Sequence, residues 1–226
     1  FFFFFSTVCL MGVMNAVNMT DGIDGLAGTL SLIALGALAL FAHASGLGEL
    51  SLLLRLFMCA VLGFLWFNFP HGMRPEPRTF LGDCGSLMIG LLVGWACIAI
   101  SQITLASEAE RKLSPVGAVW ILGVFLMDLF GTLALRIYLR RNPMHADRLH
   151  FHHLCALFGL SPKQTILTLA GLATSFALVA WFAPQVGVTE GTLLVLAILL
   201  LAIYVMVMIT YLKRLPKQLL ENHLGA

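Results

Sequence analysis

Apolar residues along this chain run in long blocks, and polar residues are swept into the gaps between them. Seven blocks stand out, at 1–14, 26–45, 50–69, 86–107, 115–138, 164–187 and 191–212. A membrane-crossing helix needs about 20 consecutive apolar residues, a length the first block falls short of and the others reach. The bilayer core offers no water to a free backbone group, so each block must satisfy its own N–H and C=O groups, as a helix does. Alternating stretches of about 10 residues, the mark of a transmembrane barrel, do not appear. The pattern predicts an all-α polytopic membrane protein with about seven transmembrane helices. It forms a single helical domain over 1–212, followed by a short basic cytoplasmic tail at 213–226.

Composition agrees with that pattern. Hydrophobic residues make up 60% of the chain and charged residues 11%, with a mean hydropathy of +0.96. A soluble domain carries about 25% charged residues. The net charge of +2 is too small to argue for nucleic acid, so none is expected as a partner. Cys9, Cys59, Cys84, Cys97 and Cys155 are odd in number and form no CxxC, which reads as small packing residues rather than a disulfide framework. The sequence opens at Phe1 inside an apolar run. It has neither the basic start nor the small-residue cleavage site of a signal peptide, and it reads as an N-terminally truncated fragment.

The position of the charges sets an orientation. Connections at 15–25, 70–85 and 139–163, with the tail, hold Arg74, Arg78, Arg140, Arg141, Arg148, Lys163, Lys213, Arg214 and Lys217. The opposite connections hold only Arg111 and Lys112. A nine-to-two bias places the first set in the cytoplasm. Arg136, near the cytoplasmic end of its block, can snorkel to that face. All the dense polar motifs fall on this same side, as a reaction centre on one face of a membrane requires.

The first motif is Asn15-Ala-Val-Asn18-Met-Thr-Asp21-Gly-Ile-Asp24-Gly25. A step of three rotates a side chain by about −60° on an α-helix, so Asn15 and Asp24 converge only if the helix breaks or tightens. Gly22 and Gly25 permit the break. Two carboxylates and two amides are hard oxygen donors, suited to Mg²⁺ or to sugar hydroxyls. An ordinary cap and Asp-Gly turn would explain one Asp but not four polar residues in step.

The second motif runs from Asn68 through Arg74 and Arg78 to Phe80-Leu-Gly82-Asp83-Cys84-Gly85-Ser86. Asp83 and Ser86 are read as preceding a helix whose N-terminus favours anions. Asp83 cannot hold a phosphate without a cation between them, so it reads as a Mg²⁺ ligand, with a plain N-cap as the alternative. The third motif is His145-Ala-Asp147-Arg148-Leu-His150-Phe-His152-His153. Adjacent histidines suit a single zinc ion poorly. With Arg140, Arg141 and Arg148 alongside, the cluster reads as a cradle for phosphate charge. Asp128, inside an apolar block, is an expensive placement, a site candidate or a hydrogen-bond partner for a neighbouring helix. Gly90-x-x-x-Gly94 reads as a helix–helix contact.

NAVNMTDGIDGL, FLGDCGS and DRLHFHH, in this order and at these intervals, resemble the polyprenyl-phosphate N-acetylhexosamine-1-phosphate transferases. The resemblance covers the chain through Leu160, and its nearest branch is the bacterial undecaprenyl-phosphate N-acetylglucosamine-1-phosphate transferases. It implies transfer of a sugar-1-phosphate from a UDP-sugar to polyprenyl (undecaprenyl) phosphate with release of UMP, the first membrane step of a cell-envelope glycan. It also implies Mg²⁺ (or Mn²⁺), and an active site on the cytoplasmic face of the inner membrane. By the same resemblance Asp83, Asp21, Asp24, His150, His152 and His153 are catalytic, and Asp83 and Asn18 hold the metal. Asn15, Asn18, Asn68, Arg78, Asp147 and Arg148 bind substrate. Asp147-Arg148 before the histidines points to UDP-N-acetylglucosamine. The alternatives are the same chemistry on another UDP-N-acetylhexosamine or on UDP-MurNAc-pentapeptide, and, remotely, an ion-coupled transporter. Two departures stand out. Cys84 replaces a more usual Ala or Thr, and the family's upstream Asp-Asp motif is absent, so the chain by itself is expected to be inactive.

Overall fold

A computed structural model describes residues 2–69, 79–103, 112–140, 142 and 150–214, and every regular element among them is helical. In order they are α1 (Phe2–Met19), α2 (Leu26–Ala44), α3 (Gly48–Asn68), α4 (Gly82–Ile103), α5 (Pro115–Ile121), α6 (Gly123–Tyr138), α7 (Phe151–Leu157), α8 (Pro162–Phe182), a short 3₁₀ turn (Pro184–Val186) and α9 (Glu190–Arg214). The chain is a polytopic membrane protein. Five described helices are long and apolar enough to cross a bilayer, and α1 is shorter. Their outward residues are mostly apolar, among them Leu52, Leu56, Ile198 and Met206, each more than half exposed. In water such a surface would drive association; against lipid it is the expected one.

The fifth expected span, 115–138, is not continuous. It breaks at Leu122, and α5 and α6 meet at 79°. The break admits a ring: a Cβ on Gly123 would collide with Phe176 of α8. Phe176 in turn meets Trp120 of α5 edge-on at 5.3 Å. α5 has its own start, with Ser114 Oγ accepting from the Gly117 N–H ahead of Pro115. α8 opens in the same way, through a capping box between Ser161 and Gln164 with Pro162 at the first turn.

α2 is the central helix. Of its apolar window 61% is buried, against 17% for α3 and for α9. It packs on α3, α4 and α8, burying Leu26, Leu30, Leu35 and Leu38. The α1–α4 contact is made by the two small residues singled out in the sequence. A Cβ on Gly90 would stand 2.6 Å from the Met14 Cα, so the two backbones meet there, while at Gly94 the side chains of Leu10 and Val13 fill the space a Cβ would take. A second apolar cluster of Leu135, Leu154, Tyr204, Met208 and Leu212 ties α7 to α6 and α9.

Candidate active site

The helix breaks where the Asn-Asp stretch requires it. α1 ends at Met19 in a turn closed by Thr20 N–H to Val17 O at 3.2 Å and Asp21 N–H to Asn18 O at 3.1 Å. Asn15 and Asn18 thus sit on the last turns of α1, Asn15 exposed, while Asp21 and Asp24 ride the connection to α2. Gly25 closes it with φ +86°, a conformation that favours glycine, and a Cβ there would also strike the Phe69 ring.

The second motif meets the first through two pairs. Asn18 Nδ2 donates to Asp83 Oδ1 and to Ser86 Oγ, both at 2.9 Å. Asp83 and Ser86 do not precede α4 as the sequence suggested; both lie in its first turns, which begin at Gly82. Asn68 is buried at the end of α3 and works with both ends of its amide. Its Oδ1 accepts the Gly25 N–H at 2.6 Å, and its Nδ2 donates to Thr79 O at 2.8 Å and to Asp24 Oδ1 at 3.4 Å.

Asp21 is pushed up to about 6, chiefly by burial. The Gly82 backbone hydrogen bond pulls the other way, and the charges of Asp24 and Asp83 add to the rise. Three carboxylates therefore feel one another at this end of the bundle.

The histidine motif reaches the same turn. His152 of α7 is 3% exposed, and a Cβ on Gly22 would run into its ring. Its ring lies 4.2 Å from that of His153 and stacks parallel to that of His150 at 5.9 Å. Burial, with His153 next, holds His152 down at about 4, while Asp128 pulls upward and His150 down. His152 is thus a neutral imidazole at pH 7. Behind the cluster, Asp128 Oδ1 accepts the Phe151 N–H at 2.7 Å, and Asp128 Oδ2 faces His150 Nδ1 at 3.5 Å.

A cleft of about 490 Å³ opens beside this assembly, lined by Asp21, Gly22, Asp24, Asn68, Phe80 and Lys163 among others. Lys163 was counted in the sequence only as a cytoplasmic charge. Its place in the first turn of α8, where a cation opposes the helix dipole, is the signal that could have marked it. Arg78, Asp147 and Arg148 lie outside the described residues. The other expected site residues gather at one end of the bundle.

Among the described residues no group of three or more His, Cys, Asp or Glu is disposed to hold a metal. A Mg²⁺ ion would ask for fewer protein donors than that, one or two carboxylates with water and substrate phosphates completing its shell, and Asp83 with Asp21 and Asp24 nearby could offer them. Asn18 turns its N–H towards Asp83 and so holds that carboxylate in place; only its Oδ1 could ligate.

Residues 1–101 match the model of glycosyl transferase family 4. The chain is 28% identical over 146 residues to an undecaprenyl-phosphate alpha-N-acetylglucosaminyl 1-phosphate transferase of Haemophilus influenzae, covering 65% of this chain and 40% of that protein. It is 29% identical over 178 residues to the protein of the same name from Escherichia coli K12, covering 75% and 46%. The protein of that name from Pasteurella multocida is 30% identical over 108 residues, covering 48% and 29%. The match spans less than half the length of each relative.

Proposed function

We propose that this chain, related to glycosyl transferase family 4 through residues 1–101, is the greater part of the reaction centre of a sugar-1-phosphate transferase. The donor is UDP-N-acetylglucosamine and the acceptor undecaprenyl phosphate. An acceptor phosphate oxygen bonds to the phosphorus that carries the sugar, the bond from that phosphorus to the bridging oxygen breaks, and UMP leaves. The site faces the cytoplasm at the inner membrane, consistent with the nine-to-two distribution of basic residues. One observation carries the reading. Three motifs far apart in sequence converge at one end of the bundle, through Asn18–Asp83, Asn68–Gly25 and His152–Gly22.

The chemistry asks two anions to approach, and the residues divide that labour. Asp83, with Asp21 and Asp24 beside it and Asn18 bonded to it, would hold Mg²⁺ (or Mn²⁺), which offsets phosphate charge when bound. Asn68 holds the Asp24 turn in shape, and Asn15 lies one turn before Asn18 for substrate contact. His152 and His153 would donate hydrogen bonds to the phosphates, His152 through a neutral N–H rather than a charge, while His150 would offer its outer nitrogen as a proton acceptor. Arg78, Asp147 and Arg148 complete donor binding in this reading. The membrane supplies the acceptor laterally, so its apolar chain enters between helices.

The test uses membranes containing the full-length protein, incubated with radiolabelled UDP-N-acetylglucosamine with and without Mg²⁺. The expected result is label in the lipid extract that is discharged by added UMP. Asp83→Asn should cut it by a factor of about 1,000 or more, the scale of losing a central electrostatic stabiliser. Retained labelling in that variant would remove Asp83 from the site, and label from a different UDP-sugar alone would change the donor.

A further inference from the structure

Asp128 lies in the interior of α6, 1% exposed, where a carboxylate is costly unless its partners are fixed. Its partners are specific. Oδ1 accepts the N–H of Phe151, the first residue of α7, at 2.7 Å, and the Thr132 hydroxyl at 3.4 Å. Oδ2 faces His150 Nδ1 at 3.5 Å. The other titratable groups that feel this carboxylate are His152 and Cys155 on α7 and Tyr204 on α9.

We propose that Asp128 is a positioning residue for the histidine motif: it fixes the His150 tautomer from inside α6 and seats α7 so that His152 bears on the Gly22 turn. Among the described residues neither Asp128 Oδ2 nor His150 Nδ1 has another hydrogen-bond partner, so each satisfies the other when the carboxylate oxygen accepts and Nδ1 carries the ring proton. With Nδ1–H directed at Asp128, a neutral His150 ring keeps its lone pair on Nε2, the nitrogen left for substrate. The same carboxylate holds the first N–H of α7, one residue before His152, whose ring fills the space that a side chain at Gly22 would need. One buried carboxyl group therefore sets two histidines and connects α6 to the acidic turn. This rests on the transferase reading above.

The decisive variant is Asp128→Asn in the full-length protein. Its Oδ1 can still accept from Phe151, so α7 keeps its cap. Its amide N–H₂ now faces His150 Nδ1 and asks for an acceptor there, which moves the ring proton to Nε2. The expected result is a fall in kcat of about a hundredfold or more with KM for the UDP-sugar near wild type. A scaffold role alone would lower the amount of folded protein and leave kcat per folded molecule unchanged, and that outcome overturns the proposal. A second measurement stands even if the variant fails to accumulate. In the wild-type protein labelled with ¹⁵N-histidine, the resonances lost in His150→Gln should report a protonated Nδ1. A bare Nδ1 with the proton on Nε2 overturns the proposal. If the wild-type protein transfers no sugar phosphate, the functional reading falls, while the tautomer still decides this one.

Discussion

The two ends of the bundle close their chain breaks in opposite ways. At the α2–α3 junction, Gly46 N–H returns to His43 O and Leu47 N–H to Ala42 O. The α8–α9 junction does the same with Gly187 to Pro184 and Val188 to Ala183, and α5 is capped by its own Ser114. Apart from Trp120 Nε1 donating to Leu193 O, the polar bonds of this end are mostly local. At the other end they leap: Asn18 to Asp83, Asn68 to Gly25, Phe151 to Asp128. Local bonds only turn the chain. Bonds between distant segments fix side chains relative to one another before any ligand arrives, which is what preorganised charge stabilisation needs.

A methyl group tests that contrast most sharply. Gly22→Ala pushes against the buried His152 ring, while Gly46→Ala meets nothing within 4 Å and bears only the strain of its φ of +75°. Gly22→Ala should lower transfer by about a hundredfold, the cost of misplacing a site by about 1 Å. Gly46→Ala should keep full activity and lose about 1 kcal/mol of stability. Equal activities would erase the distinction between the ends.

Acid gives the next largest effect. His152 binds its proton less tightly when folded, at about 4 rather than 6.5. Its contribution is therefore fully present above pH 6.5 and is lost as pH falls from 6.5 towards 4. The loss reaches about 3 kcal/mol at most. Asp21, raised to about 6, works in the opposite direction over the same range, so the readout is a difference: the Tm of the full-length protein in detergent should change less favourably from pH 7 to pH 5 than that of His152→Gln, and an equal change in the two removes His152 as a source.

A smaller difference separates two polar truncations. Asn68→Ala strands the buried Gly25 N–H and should cost about 2–3 kcal/mol. Ser114→Ala, a plain cap at the opposite end, should cost about 1 kcal/mol. Denaturation midpoints of the two variants measure the gap, and a reversed order would contradict the division drawn here.

Much of this was legible because membrane physics writes in long blocks. The apolar runs became helices near their expected bounds, and the break demanded by Asn15, Asn18, Asp21 and Asp24 came where their spacing required it. The bend at Leu122 was not legible: WILGVFLMDLF is apolar on both sides of it, and what opens it is Phe176, more than 50 residues away, lodging against Gly123. Asn68 could be marked as a site residue, but its use as a brace between Gly25, Asp24 and Thr79 depends on how α3 ends relative to the first motif. Asp128 showed its cost in the sequence and its partners only in the fold.

The near-touching of Gly90 and Met14 reaches well past the spot where it occurs. It welds α1 and α4 into a double rod, and the amide and carboxylate at its tip inherit their spacing from that weld rather than from any flexible loop. In the proposed reaction, an incoming diphosphate could not wedge Asn18 and Asp83 apart without prying two backbones loose where α1 and α4 meet. Among the described elements, the flank of α7 and α8 is the side that this weld does not hold, and so the one left to yield.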